Sequence, residues 1–140
     1  MAVDKERFLE LLNEDLSTEY QSIVQYVQHT ATVKGAKYHS IVEELNNHLR
    51  QELEHAVTLA QQIDFLGGTP AVTVPEIPDI ADGADALRAD LELEEHQLER
   101  YRQRVADAND LGLPDVAEAL RPLLTQTQDH VAELRDAVGD

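Results

Sequence analysis

At 140 residues the chain has room for one well-formed domain and is too short for two of ordinary size. Its net charge of -17, with 11 Lys and Arg against 28 Asp and Glu, repels a phosphate backbone or an anionic bilayer, which excludes nucleic acid and membrane as partners. The absence of cysteine excludes disulfides, thiolate zinc sites and iron-sulfur clusters. With no signal-peptide pattern and no apolar run near the roughly 20 residues of a membrane span, the sequence reads as a soluble cytoplasmic protein.

The first predicted helix runs from about Asp4, a plausible N-cap, to Lys34, with Gly35 as its stop. Leu12, Leu16, Glu19, Ile23, Tyr26, Thr30 and Val33 recur along it at spacings of four and three, the pattern of a face turned to a partner helix. Gly35 to Tyr38 is a connection so short that the second helix, about Tyr38 to Leu66, must lie antiparallel to the first. Its stripe is Ile41, Leu45, His48, Glu52, His55, Leu59, Gln62 and Leu66. After Gly67 and Gly68 come Pro70, Pro75 and Pro78, which rule out a helix there. A 28-residue helix is about 42 Å long. The Pro-rich connection, residues 67–81, can span that length at about 3.1 to 3.3 Å per residue, so it reads as a crossover within one domain, residues 1–140. The third helix begins near Ala81 to Ala84 and reaches about Asn109, with the stripe Leu87, Leu91, Glu94, Leu98, Tyr101 and Val105. Pro114 suits the start of the fourth, about Asp115 to Val138, whose stripe is Val116, Leu120, Leu123, Thr127, His130, Leu134 and Ala137. Pro122 predicts a kink or a delayed start in that helix. No tandem repeat is legible: the two halves are only loosely similar, each with a Glu on its first helix and a His on its second.

Each stripe is broken at mid-length by a residue able to bind metal. An isolated ionised carboxylate at such a position costs many kcal/mol, on the order of tens in the idealised limit. No Lys or Arg lies on any stripe to pair with Glu19, Glu52 and Glu94, so a cation from outside the sequence is the simplest partner. Glu52 and His55 stand three residues apart on one helix face and can point at one centre. Glu19, Glu94 and His130 sit at equivalent levels on the other stripes. Oxygen and imidazole donors suit iron or manganese, with zinc possible. His48, two turns from His55, reads as an ordinary hydrogen-bonded bundle histidine. Glu54, Glu92, Glu95, His96 and Glu99 fall on a solvated face.

The residues from Glu19 to His29, Glu52-x-x-His55, Asp90 to Glu94, His130 and the Phe65 to Pro70 exit from helix two together resemble the ferritin-like di-iron superfamily, bacterioferritins in particular. That resemblance implies an all-α, ferritin-like antiparallel four-helix bundle with the Pro-rich crossover between helices two and three. It implies Glu19 and His55 as terminal ligands of one metal, Glu94 and His130 of the other, and Glu52 as the bridge. Tyr26 matches a tyrosine that donates an electron near the site, although Tyr26 and His29 also fit core positions. The sequence departs from the pattern at Thr127, where the family carries a second bridging Glu, and at Asn47 and Gln51, where it carries an inner-surface His and Asp. Leu53 replaces the haem-ligating Met, so no haem is expected, and the chain ends at Asp140 without the fifth helix of large cages. The implied function is oxidation of Fe(II) by O2 or peroxide at a dinuclear iron site, with Glu52 and Tyr26 as catalytic residues, in a homodimer or larger homo-oligomer. The alternatives are peroxide removal with manganese or a mixed-metal pair, and a metal-binding bundle without catalysis.

Overall fold

A computed structural model describes residues 3–139. Among the described residues the only extended secondary structure is helical: α1 (Lys5–Thr32), a single 3-10 turn (Ala36–Tyr38), α2 (His39–Phe65), α3 (Gly83–Asp110) and α4 (Pro114–Val138). The fold is the expected all-α four-helix bundle, with helix ends within two residues of those read from the stripes.

Local chemistry sets those ends. The Asp4 carboxylate accepts the Arg7 N–H at 2.8 Å and caps α1, and Asp82 caps α3 by accepting from Asp85 N–H at 3.0 Å. At the other end of α1, Val33 is extended and Gly35 has φ +112°, a value that L side chains rarely adopt. The chain leaves α2 through Gly67 and Gly68, whose N–H groups donate to Asp64 O and Ile63 O. A Cβ at Gly68 would lie 3.0 Å from Leu9 Cδ2, so this exit fits tightly against α1.

Helix α1 packs against α2 and α3, and α4 against α3 and α2. Residues 66–82 link α2 to α3 and lie along α1. Asn13 Nδ2 donates to Thr69 O at 3.0 Å and Asn13 Oδ1 accepts from Ala71 N at 2.7 Å, while Tyr20 Oη donates to Ala71 O at 3.0 Å. These bonds replace the ladder that prolines deny to this segment.

The core is divided. Phe8, Leu12, Leu16, Leu59, Ile63 and Leu120 belong to one apolar cluster, and Leu45, Leu87, Leu91 and Leu134 to a second. Between them in register lies a buried polar layer containing Glu19, Glu52, His55, Glu94, Thr127 and His130. The delayed start expected from Pro122 does not occur: α4 begins at Pro114 and runs unbroken to Val138. Pro122 and Glu118, whose carbonyl loses its N–H partner, are both exposed, so water can solvate the freed oxygen.

Candidate metal centre

The five residues read as ligands converge from all four helices. Glu19 comes from α1, Glu52 and His55 from α2, Glu94 from α3 and His130 from α4, each no more than 1 % exposed. They form two triads, Glu19–Glu52–His55 and Glu52–Glu94–His130, in each of which one ligand-type atom per residue lies within 4.8 Å of the others. Glu52 belongs to both. His55 Nδ1 is 3.4 Å from Glu52 Oε2 and 3.7 Å from Glu19 Oε2; His130 Nδ1 is 3.0 Å from Glu52 Oε1 and 3.4 Å from Glu94 Oε1.

Each imidazole is oriented by its outer nitrogen. His55 Nε2–H donates to Gln126 Oε1 at 2.7 Å, and His130 Nε2–H donates to Gln51 Oε1 at 2.6 Å. A carboxamide oxygen can only accept, so the proton is fixed on Nε2 and Nδ1 faces the carboxylates. The terminal carboxylates are held similarly: Tyr26 Oη donates to Glu94 Oε1 at 2.7 Å, and Tyr101 Oη and Gln97 Nε2 both donate to Glu19 Oε1.

Without metal, protons hold this layer together. Burial opposes charge on Glu52, but the neighbouring Glu94, His130 and His55, of which His130 Nδ1 donates to Glu52 Oε1 at 3.0 Å, outweigh it and hold the carboxyl well below the usual range. Burial and the adjacent Glu52 push Glu94 up, so the pair shares one proton. His130, which burial alone would keep neutral, is pushed up to about 9 by hydrogen bonds to Glu52 and Glu94. His55 rises for the same reason, burial being outweighed by Glu52. Burial and Glu94 raise Tyr26 well above 10, and burial and Asp15 do the same to Tyr101, so both phenols stay protonated and donate. Glu19 Oε2, Glu52 Oε2, Glu94 Oε2 and His55 Nδ1 nevertheless have no hydrogen-bond partner. Four orphaned donor atoms at the centre of two oxygen and nitrogen triads fit a pair of divalent cations.

Tyr101, Gln97 and Gln126 were not read as parts of a site, and the loose similarity of the two halves extends beyond one Glu and one His. Asp15, Glu19, Tyr26, Gln51 and His55 recur as Asp90, Glu94, Tyr101, Gln126 and His130, each displaced by 75 positions. The contacts recur with them. Tyr26 reaches Glu94 as Tyr101 reaches Glu19; Gln51 holds His130 as Gln126 holds His55. Asp90 accepts from His29 at 2.7 Å and from Gln25 at 3.1 Å, while Asp15 accepts from Arg104 at 2.8 Å and Arg100 at 2.6 Å. The bundle is two similar hairpins facing each other across Glu52. The symmetry fails at Glu52 itself, whose counterpart is Thr127, fully buried and donating to Leu123 O at 2.7 Å.

Outside this layer, His48 is 1 % exposed, stacks on His130 with centroids 4.0 Å apart and donates through Nε2 to Glu133 at 3.0 Å. That is the hydrogen-bonded histidine expected. Burial, with His130 beside it, lowers His48 to about 3 and keeps it neutral. Glu54, Glu92, Glu95, His96 and Glu99 are exposed, as expected.

Comparison with known proteins agrees with this architecture. A family model described as ferritin-like domain matches residues 9–140. The "bacterial ferritin" of Neisseria meningitidis serogroup B is 33 % identical over 86 residues, 61 % of this chain; the match spans only a little over half, 56 %, of that protein's length. The "bacterial ferritin" of Pseudomonas aeruginosa is 27 % identical over 134 residues, covering 94 % of this chain and 86 % of that protein. Among solved structures, a "ferritin like, diiron-carboxylate" protein of Bacillus anthracis str. Ames superposes with a TM-score of 0.91 at 28 % identity, covering 99 % of both chains.

Proposed function

The chain belongs to the ferritin-like domain family, and from that premise we propose that it oxidises Fe(II) with O2 or peroxide at the carboxylate and histidine layer inside the bundle. The observation that carries this reading is the sharing of Glu52 between two triads whose inward-facing oxygens have no partner. Glu19 and His55 would hold one metal, Glu94 and His130 the other, and Glu52 would bridge them. A bound iron pair supplies the electrons for reducing O2 or peroxide, each Fe(II) becoming Fe(III).

The chain's own groups have separable tasks. Negative charge on Glu19, Glu52 and Glu94 favours the more highly charged oxidised metal. Gln51 and Gln126 keep Nδ1 of each histidine pointing inward, and Tyr101 and Tyr26 fix the rotamers of Glu19 and Glu94. Tyr26, bonded to Glu94, would pass a proton or an electron to the centre. The apolar clusters on either side exclude bulk water.

Thr127 supports a second reading, a bundle that binds metal without turning over, since the layer has one bridging carboxylate where symmetry would place two. Wild-type protein that binds Fe(II) stoichiometrically without oxidation turnover would favour the second reading, and Glu52→Ala tests the bridge. On the oxidase reading, rapid Fe(II) oxidation followed by stopped-flow absorbance disappears in the variant; an unchanged rate sinks the bridging role.

We also propose a homodimer formed through α1 and α2, whose Val24, Val27, Leu53 and Val57 are between 39 % and 56 % exposed. Leu53 has no donor atom, so this face offers no thioether to a haem.

A further inference from the structure

A third cluster of possible ligands lies beside the buried layer: Glu44 and His48 on α2 and Glu133 on α4, with one donor atom from each within 4.8 Å of the others. Three independent features mark it. His48 is 1 % exposed, and of its two nitrogens Nε2 meets Glu133 while Nδ1 has no partner. A carboxylate oxygen of Glu44 lies within 4.8 Å of one of Glu133, whose proximity raises the Glu44 carboxyl. These two glutamates also line a surface cleft of about 500 Å³ between α2 and α4, whose other walls include Glu43 and Asp136, with Lys37 as its one cation. Mutually repelling carboxylates at the end of an acidic cleft, backed by a neutral imidazole, are a donor set for a hydrated divalent cation.

We propose that Glu44, His48 and Glu133 form a third divalent-cation site, which receives the ion from the acidic cleft and passes it to the Glu94–His130 half of the buried layer. The stacking of His48 on His130 at 4.0 Å puts the two sites in direct contact. The transfer role rests on the dinuclear reading; the binding role does not. The cation would take the place of the hydrogen between His48 Nε2 and Glu133, and the single imidazole proton would move to Nδ1, the nitrogen that has no partner, so binding switches the tautomer of His48. Three protein ligands leave positions for water, which suits an ion held briefly.

The test is equilibrium dialysis of metal-free protein against Co(II) under argon, with elemental counting, on wild type, Glu52→Ala and the double variant Glu44→Gln, Glu133→Gln. Neither glutamate of the double variant is buried, so circular dichroism should match wild type. The proposal expects three ions per wild-type chain and two per double variant. Two ions in both would overturn it and leave the buried pair intact. A single ion lost in the double variant but kept by Glu52→Ala would uphold the third site and overturn the dinuclear centre. Retention of three ions by the double variant would overturn the assignment to these glutamates.

Discussion

Thr127 sits where internal symmetry calls for a second Glu52, and its hydroxyl is turned back to its own helix at Leu123 O. Thr127→Glu would therefore point a carboxylate into the centre opposite Glu52. We predict that it strengthens binding of the more weakly held ion by roughly the 10 to 100-fold that site-supporting residues are worth. It should destabilise the metal-free protein by on the order of a few kcal/mol, because the new carboxyl is buried without a partner. Calorimetric metal titration and thermal melts measure both; tighter binding with no loss of metal-free stability would contradict the placement. The protons that stand in for metal set a second expectation. His130 is pushed up to about 9 from an ordinary 6.5. Its contribution is fully present below pH 6.5 and disappears as pH rises through about 9; the raised Glu94 acts in the same direction. The metal-free protein should therefore melt at lower temperature at pH 10 than at pH 7, and a flat or rising melting profile over that range would refute the assignment. The five buried Glu and His residues proposed as ligands were legible in the sequence because each interrupts an apolar stripe. Gln97 and Gln126 were not, since a neutral amide beside a stripe carries no charge penalty and looks like a surface residue.

At the scale of helices, boundaries were readable because caps and breakers are local: Asp4, Gly35, Gly67 and Pro114 act within a few residues. The interior was less so. The stripes assume a narrow 3.5-residue seam, but Asp15, Asp90, Arg104 and Asp107 are also buried, forming wider polar networks between α1 and α3. Arg104 lies off every stripe yet is buried, its charge matched by Asp15 at 2.8 Å and Asp107 at 2.8 Å. Pro122 was judged by its covalent defect rather than by its exposure. Because α4 continues through it at the cost of one solvated carbonyl, Pro122→Ala should stabilise the protein by up to about 3 kcal/mol. A chemical denaturation midpoint that fails to rise would show that the helix had already compensated for the missing bond.

For the whole molecule, facing two similar hairpins creates a paired centre because it brings Glu19 with His55 and Glu94 with His130 to opposite sides of Glu52. The strongly acidic exterior, -17 overall, raises the local concentration of cations around that centre. No helix among the described residues is long and apolar enough to cross a membrane. Whether Glu52 joins two metals is measured most directly by anomalous diffraction from crystals soaked anaerobically in Fe(II). A bridging Glu52 gives two iron peaks inside the bundle, one against Glu19 and His55 and one against Glu94 and His130, with an oxygen of Glu52 on each; a single buried peak, or none, would contradict the bridge.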